Sequence, residues 1–375
     1  HTRTISGLDP STTYYYSVGN SSGALAGQGD ASYHFTTAPN PGTSVPTRFW
    51  VIGDSGTANA NAEAVRDRYK DYALSTGDAD FMLMLGDNAY NSGTDAEYQA
   101  AVFDTYPVIL RQTPVWATLG NHDGSSADSG TQTGPYYDIF NLPTNGEAGG
   151  LSSGTEAYYS YDYGDIHFIV LDSYDTSRSA GGTMMTWLEA DLVANNKPWI
   201  IAFWHHPPYT KGSHNSDSEG ALIDMRVIAL PILEAGGVDL ALTGHSHSYE
   251  RSKFLDGHYA TPTLDDPTKV LNAGDGRESG TGAYVKPSTV AAMNKGAVYV
   301  VAGSSGKISG GSLNHPVMHV SLNELGSMVI DVNDDRLDAV FINDSGVVKD
   351  NFTILKKACS ASQPMAANQW VFFSM

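Results

Sequence analysis

From Arg48 onward the chain alternates short apolar runs with long polar stretches. The runs are "RFWVIGD" (48–54), "FMLMLGD" (81–87), "PVWATLGNHD" (114–123), "IHFIVLDS" (166–173), "WIIAFWHH" (199–206), "VDLALTGHSH" (238–247) and "AVYVVAGSS" (297–305). Each is a few apolar residues long and rich in Val, Ile, Phe and Trp, as a buried strand requires. Between several of them apolar residues recur at helical spacing. Residues 58–73 place Ala62, Val65, Tyr69 and Tyr72 on one face, and "MMTWLEADLVAN" and "ALIDMRVIALPILEAG" behave similarly. Strand alternating with helix predicts an α/β core. "SMVIDV" and "LDAVFIN" read as a closing β-hairpin. Beyond Asp350 no pattern emerges.

The first 38 residues have a different texture. "RTISGLDPSTTYYYSVG" reads as strand, Pro-containing turn and strand, with "SYHFTT" as a further strand, and a Pro- and Gly-rich linker follows. Leu8-Asp9-Pro10 followed by Thr13-Tyr14-Tyr15-Tyr16 resembles the end of a fibronectin type III module. A whole module needs about 100 residues, so this piece is partial or docked on its neighbour. The resulting division is an N-terminal segment over 1–40, a linker over 41–47, a main domain over 48–345 and a tail of unknown role over 346–375.

With 375 residues, 41% of them hydrophobic, the chain can bury a sizeable core. No apolar run approaches the roughly 18 residues that would span a bilayer. The chain begins at His1 without an initiator Met or signal peptide, so its natural N-terminus is expected to be removed or to lie upstream. The one cysteine, Cys359, excludes an internal disulfide framework and a thiolate-rich zinc site. The formal net charge of −20 changes the picture most. Such a surface repels polyanions, which argues against nucleic acid and anionic membranes as partners. A small anionic substrate would then need local positive charge from a bound metal.

Five of the apolar runs end directly in a metal-capable group: Asp54, Asp87, Asn121, His205 and the pair His245 and His247. In open α/β sheets ligands collect beyond the carboxyl ends of strands, where loops converge on one crevice. One run ending in Gly-Asp is an ordinary turn; five such endings together are hard to obtain by accident. His245 and His247 share a face if the backbone between them stays extended.

The ordered series Asp54-x-Gly56, Gly86-Asp87-x-x-Tyr90, Gly120-Asn121-His122-Asp123, His205-x-Pro207 and Gly244-His245-x-His247 resembles the calcineurin-like metallophosphoesterases. Tyr90, three residues after Asp87, narrows the resemblance to the purple acid phosphatase branch, and "HHPPY" and "GHSHSYER" are similar to that branch as well. The resemblance covers roughly residues 1–345. It implies a two-layer β-sandwich flanked by helices, a small phosphate ester as substrate, and a secreted, periplasmic or extracellular location. It also implies two metal ions bridged by Asp87. Asp54, Tyr90 and His247 would complete one site, and Asn121, His205 and His245 the other. Hard oxygen donors with one imidazole suit Fe(III); imidazole with an amide oxygen suits Zn, Fe(II) or Mn(II).

The remaining candidates follow from their neighbours. His122 adjoins Asn121 and is expected to face the substrate as a phosphate-binding or acid group, with Asp123 as its hydrogen-bond partner. His206 and His214 are further candidates to bind phosphate or donate a proton; the branch often has a histidine pair in this stretch, and here His214 stands alone. Glu250 and Arg251 are expected to pair, His315 to sit in a loop at the site rim, and His167 to be a satisfied core histidine. "AGSSGKISGG" lacks the spacing of a phosphate-binding loop and reads as a turn. Against a phosphomonoesterase stand two alternatives, a phosphodiesterase or nucleotidase on the same scaffold and a non-catalytic surface-binding protein.

Overall fold

A computed structural model describes residues 3–286 and 295–356. All seven predicted apolar runs contain strands: Thr47–Ile52, Phe81–Met84, Val115–Ala117, Ile166–Val170, Trp199–Trp204, Leu240–Thr243 and Val298–Ala302. Among the described residues they belong to two seven-stranded sheets. One runs in space through Tyr284–Lys286, Val348–Lys356, Arg336–Asn343, Gly326–Asn333, Thr47–Ile52, Phe81–Met84 and Val115–Ala117. The other runs through Met318–Leu322, Tyr249–Ser252, Val298–Ala302, Leu240–Thr243, Trp199–Trp204, Ile166–Val170 and Tyr159–Tyr163. Both are mixed, with the seven predicted strands parallel to their neighbours in that set and antiparallel strands alongside them.

The period-2 alternation of strand side chains explains the layers. Trp199, Ile201 and Phe203 face the opposite sheet, whereas Ile200, Ala202 and Trp204 pack with Met184 and Leu188 of the helix Thr183–Ala194. Aromatic rings interlock between the sheets. Phe168 meets Phe49 edge-on at 5.5 Å and Phe81 at 5.4 Å, and Tyr249 lies flat on Phe341 at 4.0 Å. On the outer face of the first sheet the helix Ala60–Thr76 stacks Tyr69 on Trp50 at 4.1 Å. That helix starts where the Asn59 side chain accepts the N–H groups of Asn61 and Ala62, and it ends at Gly77 with φ +103°. The fold is therefore α/β, two mixed sheets flanked by helices.

Three expectations need correction. The N-terminal segment forms only small antiparallel ladders, Thr13–Tyr15 with His34–Thr36 and Val18–Asn20 with Gly23–Ala26, and the strand expected before Pro10 is absent among the described residues. Two-stranded ladders are marginal alone; this one leans on the main domain, where Tyr16 donates to the Arg111 carbonyl at 2.8 Å and the Arg111 guanidinium covers the Tyr33 ring. The tail drawn from residue 346 instead begins with Val348–Lys356, a strand paired with Arg336–Asn343. Asp350, Phe352 and Ile354 alternate inward there, and the charge at Asp350 conceals the pattern. Residues 357–375, with Cys359, lie outside the described residues.

Glu250 and Arg251 do not pair, because adjacent strand residues point to opposite faces. Arg251 donates to both carboxylate oxygens of Asp350 at 2.5 and 3.0 Å, while Glu250 accepts from Thr210 and Ser248. His167 is the satisfied core histidine expected, with Nδ1 and Nε2 each 2.8 Å from a carboxylate, Asp162 and Asp191.

The Arg251–Asp350 pair is fully buried. Removing one partner leaves an uncompensated buried charge, so Asp350→Ala should lower the unfolding free energy by about 3–5 kcal/mol. Urea denaturation measures this, and a loss below about 1 kcal/mol would mean that the pair does not hold the last strand in place.

Candidate metal centre

Asp54, Asp87 and Asn121 follow parallel strands of one sheet; His205, His245 and His247 follow parallel strands of the other. The six residues meet where loops from both sheets converge. The chain turns sharply as it leaves three of these strands. Asp54, Asp87 and His245 sit at φ +54°, +53° and +65°, a region that costs an L-residue on the order of 1–2 kcal/mol. The backbone around His245 is therefore not extended as expected. The Ser246 N–H bonds the Gly244 carbonyl at 2.7 Å, closing a γ-turn on His245, and the two imidazoles reach different partners. Glycines make the approach possible. A Cβ on Gly120 would lie 2.3 Å from Asp87 Oδ1, and one on Gly244 would lie 2.6 Å from Asp54 Oδ2.

The donor atoms fall into two groups. In the first, the Tyr90 hydroxyl lies 3.0 Å from Asp54 Oδ1 and 3.3 Å from His247 Nε2. In the second, Asn121 Oδ1 lies 3.1 Å from His205 Nε2 and 3.0 Å from His245 Nδ1, and those two nitrogens are 3.2 Å apart. Asp87 stands between the groups. Its Oδ1 is 3.3 Å from His205 Nε2, and one ligand atom from each of Asp54, Asp87 and His205 fits within 4.8 Å of the others.

The chemistry of this set fits a cation. His205 Nδ1–H donates to the Leu85 carbonyl at 2.9 Å, so Nε2 turns a lone pair inward. There it faces an amide oxygen, a carboxylate oxygen and another imidazole nitrogen. Such a cluster of lone pairs needs a proton or a metal between its members. Without metal the proton goes to His205: burial would lower its pKa, but the charge of Asp87 prevails and lifts it to about 9. Burial would likewise raise Asp87, yet His205 and His122 hold it below the usual carboxylate range. Burial pushes His245 down to about 4. Burial, then the charges of Asp54 and Asp87, keep the Tyr90 phenol protonated well above 10; a bound cation would reverse that sign.

The other candidates separate. His122 stands at the site with its side chain 35% exposed; Nδ1–H donates to the Asn91 carbonyl at 2.6 Å, which leaves Nε2 on the open side, 3.9 Å from Asp87 Oδ2. Asp123 is not its partner. It is buried and accepts from Tyr98 Oη, Gly120 N and Asn88 N and Nδ2 at 2.6–3.2 Å, tying the Asp87 loop to the Asn121 loop. Burial and the Asp87 charge raise its carboxyl to about 6. His206 is buried with its ring 4.3 Å from His245 and Nδ1 2.9 Å from Ser173 Oγ; burial, then His245 and His205, hold it neutral. His214 lies against His245 at 3.8 Å with the rings tilted by 31°, and Glu219 orients it through Nδ1 at 2.8 Å. His315 is buried against Tyr209 instead of lining the rim.

Three contributors escape the sequence reading. Glu219 lies five residues beyond His214, a spacing with no motif. Ser309, from the glycine-rich stretch read as a turn, holds His247 Nδ1 at 2.8 Å, and Ser213 accepts the His247 N–H at 2.9 Å. Hydroxyls that act on ligands from distant loops carry no local signal.

The family model for calcineurin-like phosphoesterases matches residues 47–249, the span that carries every donor of both groups. The chain belongs to the calcineurin-like phosphoesterase family. Its relatives include purple acid phosphatase 1 of Ipomoea batatas, 30% identical over 298 residues, 74% of this chain and 59% of that protein. Purple acid phosphatase 15 of Arabidopsis thaliana is 28% identical over 285 residues, 69% of this chain and 50% of that protein. The chain thus spans roughly half to three fifths of these relatives. Among solved structures, purple acid phosphatase PPD1 from yellow lupin (Lupinus luteus) seeds has a TM-score of 0.62 at 20% identity, covering 89% of this chain and 60% of its own. GAP50, described as the anchor in the inner membrane complex of Plasmodium, has a TM-score of 0.56 at 16% identity, covering 84% and 90%. Both likenesses concern the fold.

Asp123→Ala would leave several buried donors unpaired and release two loops. It should cost about 3 kcal/mol in the metal-free protein, measured by chemical denaturation. A cost below about 1 kcal/mol would show that Asp123 does not brace the centre.

Proposed function

We propose that the chain hydrolyses phosphate monoesters at a binuclear metal centre, in the manner of purple acid phosphatases. The observation that carries this reading is the pair of donor groups on either side of one buried carboxylate, Asp87. Asp54, Tyr90 and His247 would hold Fe(III), and Asn121, His205 and His245 would hold Zn, Fe(II) or Mn(II), with Asp87 reaching both. Two cations so held would supply Lewis-acid stabilisation of phosphoryl oxygens and a water whose pKa is drawn toward neutrality. The relatives named purple acid phosphatases support the monoester reading.

The chain's own side chains do the rest. His122, whose Nδ1–H is committed to the Asn91 carbonyl, turns Nε2 to the open side, and as the imidazolium it would pass the Nε2 proton to the leaving oxygen. His214, fixed by Glu219, faces the same cleft and binds phosphate oxygens. His206, buried and held neutral by burial beside His245, would exclude water there without adding a positive charge. The net charge of −20 repels a phosphate dianion at long range, so the two cations would supply the attraction at the centre.

His122→Ala should retain its metal and lose about 10²–10⁴-fold in kcat, with a smaller loss for esters whose leaving groups need little protonation. A rate survey across leaving groups, with metal content determined on the same sample, tests this. Equal losses for good and poor leaving groups would assign His122 to phosphate binding. A metal-replete wild type that turns over no phosphomonoester would sink the function itself.

A further inference from the structure

Tyr174 stands next to the centre, beside His206. It lies in the loop after the strand Ile166–Val170, and that loop is pinned. Asp172, fully buried, accepts the N–H groups of Tyr174, Asp175 and Thr176 at 2.8–3.1 Å and the hydroxyls of Thr176 and Ser129. Arg178 donates Nη1 to the carbonyls of Ser173 and Tyr174 at 3.0 and 2.9 Å and is itself held by Asp224. In this braced loop Tyr174 is left 38% exposed.

Its ring has two neighbours that fix its place. It runs nearly parallel to the His206 imidazole, with an interplanar angle of 12° and centroids 6.3 Å apart, and His206 in turn lies 4.3 Å from His245. It also covers Gly124, where a Cβ would come within 2.3 Å of the ring. Gly124 follows His122 by two residues. The ring therefore adjoins both His206, the neighbour of His245, and the loop that carries His122.

We propose that Tyr174 determines specificity by stacking on a planar aromatic leaving group, so that aryl phosphates are preferred to alkyl phosphates. The inference rests on the phosphomonoesterase reading in one respect: a leaving oxygen presented to His122 brings its substituent alongside Tyr174. An aromatic ring on a pinned loop loses little freedom when a ligand stacks on it, so most of the contact energy appears as affinity. Tyr174 touches no reacting atom and is not a catalytic residue.

The test compares wild type, Tyr174→Phe and Tyr174→Ala, all metal-replete, with phenyl phosphate and glycerol 2-phosphate as substrates. Binding of phenylphosphonate and methylphosphonate is measured by calorimetry on the same samples. Tyr174→Ala should lower the phenyl-over-glyceryl ratio of kcat/KM, and the phenyl-over-methyl affinity ratio, by about tenfold, while Tyr174→Phe stays within about twofold of wild type. Unchanged ratios in Tyr174→Ala, an equal loss on both substrates, or a loss in Tyr174→Phe as large as in Tyr174→Ala would each overturn the proposal. If the wild type hydrolyses neither ester but binds phenylphosphonate in a Tyr174-dependent way, the phosphatase reading fails and the stacking site stands.

Discussion

Lone pairs pointed at one another hold the key to this molecule. His205 Nε2, His245 Nδ1, Asn121 Oδ1 and Asp87 Oδ1 crowd together, and with His205 Nδ1–H committed to the Leu85 carbonyl they need a further proton or a metal between them. Such a cluster is unfavourable unless positive charge is supplied, and the fold goes to some length to build it. Three residues take left-handed backbone conformations, and glycines before Asn121 and His245 give up side chains so that two carboxylates can approach. Strain of this kind persists only where the surrounding structure over-determines it. The interlocked aromatic layer between the sheets and the braces from Asp123 and Ser309 provide that surrounding rigidity.

Much of this architecture was legible in the chain. Buried parallel strands are continuous apolar runs, so all seven announce themselves, and the polar residues that follow five of them mark the rim. What stayed hidden has common physical causes. The strand Val348–Lys356 carries Asp350, whose charge is offset only by Arg251 from a different part of the chain, so its alternation looks broken. The γ-turn at His245 is invisible because the residue is not a glycine, the usual sign of positive φ. Adjacency alone points Asp123 at His122, whereas a carboxylate inside a tight turn bonds the amides of that turn and its neighbours. Glu219, Ser309 and Tyr174 act across loops, where sequence distance says nothing of spatial distance.

Family and function remain separate statements. The scaffold is shared with purple acid phosphatases and also with a protein described as an anchor, so the layered sheets by themselves select no activity. The case for catalysis rests on the donor set: all seven candidate ligand positions are filled, their atoms converge, and a half-exposed histidine with a fixed tautomer stands beside them. The N-terminal ladders contribute nothing to that set and touch the main domain at Arg111.

Anomalous diffraction from crystals of the chain grown with iron and zinc would locate the ions and their ligands. The account predicts two peaks about 3.5–4 Å apart, one among Asp54, Tyr90 and His247, the other among Asn121, His205 and His245, with Asp87 between them. A single peak, or metal bound away from Asp87, would contradict it.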